Sequence, residues 1–240
     1  MIAIKKADDL PLLKSWVNAV KNDIDRLHQT EASGGELWAL LPSSKTPLDK
    51  RDENGSYYSK EELREALFKE QFGLCCYCMN AIKNEPLSTK IEHFLPKETY
   101  KPNEIFEYKN LFAACNGGEK DTNYKPRILH CDSEKGSKKP HEVGILSPLD
   151  ITDSANDGTT HFLFLEDGQI IHKTKLGETT IKALNLKCKR LILLREAAIE
   201  TYLYDETLDF KHEIAQLSIP KNGYLVAFCG AIIQVLENYK

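Results

Sequence analysis

The stretch GLCCYCMNAIKNEPLSTKIEHFLPK, residues 73–97, packs three cysteines into four positions and then sets a carboxylate directly before a histidine. Cys75 and Cys78 form a C-x-x-C pair, the spacing with which a tight turn aims two thiolates at one tetrahedral ion. Cys76 lies between them and points elsewhere in such a turn. A structural zinc needs two more ligands, and Cys115 and Cys131 are the cysteines left before the helical tail. Their wide separation requires residues 117–130 to loop out. Read singly, Cys115 is a buried apolar thiol and Cys131 a loop cysteine; as four cysteines bracketing a Glu-His segment, they read as a zinc site. Cys188 and Cys229 sit on apolar helical stretches and are expected in the core.

The segment IEHFLP flanks Glu92 and His93 with apolar residues, as at the end of a buried strand, and so sends a carboxylate and an imidazole to opposite sides of the backbone. One such side chain can bind a hard cation while the other takes a proton from water. Alone, the pair reads equally as a surface carboxylate beside a satisfied histidine. Downstream, YKNLFAAC adds Asn110, and HCDSEKG places Asp132 directly after Cys131 and a Lys-Gly shortly beyond it.

In this order of motifs, residues 73–136 resemble the HNH (ββα-metal) nuclease family: C-x-x-C, an acidic residue plus His, Asn-Leu, then Cys followed by Asn, His or Asp and Lys-Gly. The resemblance implies an α+β fold, a zinc-stabilised ββα-metal core with helical N- and C-terminal extensions. It implies His93 as general base, Glu92 and Asp132 as ligands of a catalytic Mg²⁺ or Mn²⁺, and Asn110 orienting the histidine through a backbone hydrogen bond. Cys75, Cys78, Cys115 and Cys131 would hold a structural Zn²⁺. Asp132 replaces the more usual His or Asn, which suits a hard cation. An insertion separates the third and fourth cysteines, so His130 and His141 stay open as alternative ligands. Over most of residues 60–200 the chain resembles a narrower group, the HNH component of Septu-type anti-phage systems, including the retron-associated form. That resemblance implies an ABC-type ATPase partner.

The elements that must position these residues are partly legible. Residues 8–28 show helical spacing through Leu12, Leu13, Trp16, Val20, Ile24 and Leu27 and predict one amphipathic helix. Ser59 and Glu62 have the form of a capping box for a helix that ends at Gly73. HFLFLEDGQIIHK alternates around an Asp-Gly turn and reads as a hairpin. Beyond it the pattern is helical, over 178–205 and 221–239, and Arg195 falls within an apolar arc where it needs a carboxylate mate. Three regions are expected: a helical extension, 1–58; a nuclease core, 59–150; and a hairpin plus helices, 151–240, available for docking a partner.

Composition sets the outer bounds. A chain of 240 residues, 41% hydrophobic and 28% charged, reads as an ordinary globular protein. No apolar run is long enough for a membrane span and the start turns polar too early for a secretory signal, so a cytoplasmic location with reduced thiols is expected. The net charge of −4 announces no nucleic-acid binder, which leaves local phosphate donors: Lys120, Lys125, Arg127, Lys135, Lys138 and Lys139. The leading expectation is a metal-dependent endonuclease in a defence complex, acting on DNA. The alternatives are an RNA- or tRNA-cleaving enzyme and a zinc-binding regulatory subunit with a vestigial site.

Overall fold

Pro11, with its preset φ, opens the first helix, α1 (Pro11–Ala19), which buries Leu13 and Trp16. A computed structural model describes residues 4, 6, 7, 9–44, 58–99, 102–119, 126–147 and 158–240. The single helix expected over 8–28 is two: the chain turns at Val20, φ −98° and ψ 11°, and restarts as α2 (Lys21–Gln29), burying Ile24. The turn lets both Trp16 and Ile24 reach the core while Leu12 stays 61% exposed. Next, α3 (Gly34–Ala39) begins with a capping box in which Ser33 Oγ accepts from Glu36 N at 3.3 Å and Glu36 Oε2 accepts from Ser33 N at 2.8 Å. The cap read from Ser59 holds as well, with Ser59 Oγ accepting from Glu62 N at 3.3 Å at the head of α4 (Lys60–Glu70).

The strand β1 (Thr89–His93) pairs antiparallel with β2 (Leu111–Cys115), Thr89 opposite Cys115 and His93 opposite Leu111. Every residue of β2 is buried. Gln71, just past α4, donates to the carbonyls of Leu74 (2.9 Å) and Ala113 (2.8 Å) and accepts from Ala113 N (2.7 Å), pinning the helix end to the sheet. One end of the ribbon thus carries Cys115 and the other the Glu92-His93 pair.

Short turns of helix follow at α5 (Asp132–Lys135), α6 (Pro140–Val143) and α7 (Gly158–His161). The expected hairpin is present as β3 (Phe162–Phe164) and β4 (Ile170–His172), turning through Asp167 and Gly168. Four helices complete the chain: α8 (Lys175–Ala183), α9 (Lys189–Leu203), α10 (Phe210–Leu217) and α11 (Cys229–Leu236). They close over the cysteine segment, with Cys131 N donating to Leu184 O at 2.8 Å, Phe228 N to Met79 O at 2.8 Å and Leu225 N to Phe72 O at 3.0 Å. Arg195 is buried without the expected carboxylate; its Nε donates to Gly168 O and its Nη2 to Leu186 O, both at 2.8 Å. The fold is therefore mixed, two small antiparallel ribbons within a helical shell. Among the described residues no helix is long and apolar enough to cross a membrane.

Candidate metal centre and active site

The four cysteines singled out by spacing converge. The Sγ atoms of Cys75, Cys78, Cys115 and Cys131 all lie within 4.8 Å of one another, all buried, and all four thiols are free. Cys78 and Cys115 Sγ stand 3.9 Å apart. A tetrahedral zinc with bonds of about 2.3 Å sets sulfurs about 3.8 Å apart, whereas a disulfide needs about 2.05 Å, so the spacing fits an ion and not a bridge. Three separate segments supply the ligands: the turn after α4, the end of β2 and the entry to α5. Cys131 is held at φ +55°, a region costly for a side chain with a Cβ, and its N–H bond to Leu184 O helps fix it there.

Around the sulfurs, Cys115 N donates to Cys75 Sγ at 3.3 Å. His130, one of the alternative ligands, is buried beside the cluster with Nδ1 3.3 Å from Cys131 Sγ and 3.8 Å from Cys115 Sγ, a hydrogen-bonding neighbour of the thiols. His141 is exposed on α6.

At the other end of β1, Glu92 and His93 are both buried and face opposite ways, as consecutive strand residues must. Glu92 Oε1 accepts from Tyr77 OH at 2.6 Å and from Lys135 Nζ at 2.5 Å. Asp132, on the first turn of α5, lies within hydrogen-bonding reach of the Glu92 carboxyl and 3.4 Å from Lys90 Nζ. Burial, then the Asp132 carboxyl beside it, raises Glu92 well above the usual carboxylate range. Burial acts the same way on Asp132, but the bond to Glu92 and the charges of Lys90 and Lys135 outweigh it and hold Asp132 low. Two carboxyls split in this way are a pair that share positive charge or a proton.

His93 Nε2 lies 3.1 Å from Ile105 O, which makes Nε2–H the donor and leaves the lone pair on Nδ1. Burial, with the charge of Lys97 second, pushes the imidazole down to about 3, so it is neutral near pH 7. Asn110 grips the backbone two residues on: Oδ1 accepts from Leu95 N at 2.8 Å and Nδ2 donates to Leu95 O at 3.1 Å. Its own carbonyl accepts from Phe94 N at 3.0 Å.

Comparison with known proteins agrees with the defence-related resemblance. The chain is similar to a Septu protein. Over 135 residues, 56% of this chain, it is 27% identical to the Septu protein PtuB of Bacillus thuringiensis. The chain spans 45% of the length of that relative. No protein-family model matches the chain.

The residues nominated for phosphate contact scatter. Lys120 and Lys125 fall outside the described residues, and Arg127 is exposed. Lys138 and Lys139 pair with Glu134 (3.6 Å) and Glu142 (3.1 Å) on their own short helical segments. Lys135 is 1% exposed, and besides Glu92 its Nζ reaches His93 O at 2.9 Å. It belongs to the interior of the site. A signal for this was present: Lys135 stands three residues after Asp132, and on one helical turn both share a face. Tyr77, inside the C-x-x-C turn, and Trp38, whose ring meets the His93 ring edge-on at 4.5 Å, carry no motif that sequence reading could catch.

Proposed function

We propose that the chain is a metal-dependent endonuclease of the HNH type that acts in anti-phage defence, hydrolysing phosphodiester bonds, with DNA the favoured substrate and RNA the alternative. The observation that carries this reading is the end of β1: a neutral, oriented His93 directly after a buried Glu92 that has Asp132 beside it. The similarity to a Septu protein supplies the biological setting. In this reading His93 takes the proton of the attacking water at Nδ1, the nitrogen left free by the bond to Ile105 O. Glu92 and Asp132 hold a Mg²⁺ or Mn²⁺ ion, which when bound supplies positive charge against the phosphate. Asn110 fixes the turn after β1 and with it the direction of the imidazole. The tetracysteine cluster, with zinc, locks β2 and α5 in register behind the site. An ABC-type ATPase is the partner that the Septu resemblance implies.

A second reading has an observation of its own. Lys135 Nζ already stands at 2.5 Å from Glu92 Oε1, so the carboxylate has a resident cation and the chain could be a zinc-binding subunit with a vestigial site. One experiment separates the two: incubate the full chain, alone and with a candidate ABC-type ATPase, with duplex DNA, single strands and tRNA in Mg²⁺ or Mn²⁺. Cleavage that His93→Ala slows by about 10²- to 10⁴-fold supports the nuclease. No cleavage in any mixture, or equal cleavage by the variant, overturns it.

A further inference from the structure

The His93 side of β1 carries two ammonium groups that sequence reading did not nominate. Lys60, the first residue of α4, places Nζ 5.4 Å from the centre of the Trp38 ring, and Trp38 meets His93 edge-on at 4.5 Å. Lys97 opens the short 3-10 turn Lys97–Thr99 just beyond the Leu95 backbone that Asn110 clamps. Its backbone is pressed against α3: a Cβ on Gly34 would stand 2.6 Å from Lys97 O, so only glycine allows that approach. Three elements therefore converge on the imidazole with a half-exposed indole and two half-exposed lysines.

The charges there are uncompensated. Among the described residues neither Lys60 nor Lys97 has a carboxylate partner, in contrast to Lys138 and Lys139. Burial and then the charge of Lys97 push Lys60 below its ordinary range, and Lys97 acts on His93 in the same direction. Two like charges held close, partly out of water and unpaired, are a standing cost that an anion relieves. Trp38 does not supply that relief, because 5.4 Å from the ring leaves the ammonium only weakly engaged and the indole is also stacked on Phe106 at 5.7 Å.

We infer that Lys60 and Lys97 form a phosphate-binding subsite for the nucleic-acid backbone on the His93 side of β1. The inference rests on the nuclease reading above and names the substrate contact within it. A backbone phosphate seated between the two ammonium groups brings the chain of phosphodiesters past His93, and the indole edge of Trp38 bounds the slot. Contacts of this kind are indifferent to sequence and sensitive to salt.

The test measures binding apart from cleavage. The full-length His93→Ala chain is titrated with labelled duplex DNA and with labelled single-stranded RNA over about 50 to 200 mM salt, and compared with the same chain carrying Lys60→Gln and Lys97→Gln. The expected result is about a tenfold loss of affinity and a salt slope shallower by about 2 in the logarithmic plot, one unit for each lost phosphate contact. Lys60→Arg with Lys97→Arg should restore both, and Lys187→Gln with Lys189→Gln, which removes equal charge from the distal helices, should change neither. The inference is overturned if the Gln pair binds like its parent, or if the distal pair loses as much. Failure of the parent to bind either probe would instead overturn the nucleic-acid reading itself. Melting curves of the Gln and Arg pairs guard against misfolding: a Gln pair that melts early while the Arg pair keeps parental melting and loses binding also counts against the subsite.

Discussion

Asn110 shows how one side chain can hold a site without touching the chemistry. Its amide is used in both directions on Leu95, donor to the carbonyl and acceptor from the N–H. Replacing it by Asp keeps the shape but turns the donor into a second acceptor facing Leu95 O. We expect Asn110→Asp to cost about 1–3 kcal/mol, since a buried bond is lost and like partial charges are opposed. Thermal melting should fall accordingly, and His93-dependent cleavage should fall with it because the turn that aims the ring loosens. Full cleavage in a variant that melts early would separate the clamp from the site. At this scale the sequence was a good guide for groups that carry motifs: Glu92, His93, Asn110, Asp132 and the four cysteines fall into two clusters. It was a poor guide for groups whose role depends on what folds over them. Lys135 reads as a surface cation in a basic stretch, and only the closure of α5 onto β1 shows it buried between Glu92 and His93 O.

Among the elements, local turn chemistry was legible and the joints between helices were not. The Ser59 cap and the Asp167-Gly168 hairpin are written in residues that act within four positions. The breaks at Val20 and between α8 and α9 contain no proline or glycine, and they arise because each helix turns to bury a different apolar face. Gly168 illustrates the joining of the two kinds. Its φ of +73° answers the hairpin turn, but a Cβ there would also stand 2.2 Å from Ile192 O on α9. The Gly168→Ala variant therefore meets both a backbone penalty of roughly 1 kcal/mol and a steric clash that forces the hairpin off the helix. We expect a loss of stability above about 2 kcal/mol, since clash adds to dihedral cost and Arg195 Nε gives up its bond to Gly168 O. Denaturant unfolding measures it, and a loss below about 1 kcal/mol would mean that the hairpin has room to shift.

Across the whole molecule, the C-terminal helices and the cysteine cluster form one electrostatic unit. Arg195 is 1% exposed, and the negative groups that act on it are Cys78, Cys188 and Cys131. The turn between α8 and α9 makes the link physical: Leu184 O accepts from Cys131 N while Leu186 O accepts from Arg195 Nη2, both at 2.8 Å. Four thiolates around Zn²⁺ carry a net charge of about −2, which gives a buried guanidinium the counter-charge that no carboxylate supplies. With the metal removed and the thiols protonated, that compensation disappears and the cost of burying Arg195 falls on α9. Chelation should therefore open more than the C-x-x-C turn, and amide exchange should accelerate in α8 and α9 together with residues 74–79. The Arg195→Met variant keeps much of the buried bulk and drops the charge, so it should retain the helices better after chelation while holding zinc roughly 10- to 100-fold less tightly. The contrast with Cys78→Ser is informative, because loss of a ligand should take metal and fold together. Protection of α8 and α9 that survives zinc removal in the unaltered chain would show that the helices stand by apolar packing alone, through Leu191 and Ile199, and that Arg195 is held by its two carbonyls without help from the metal centre.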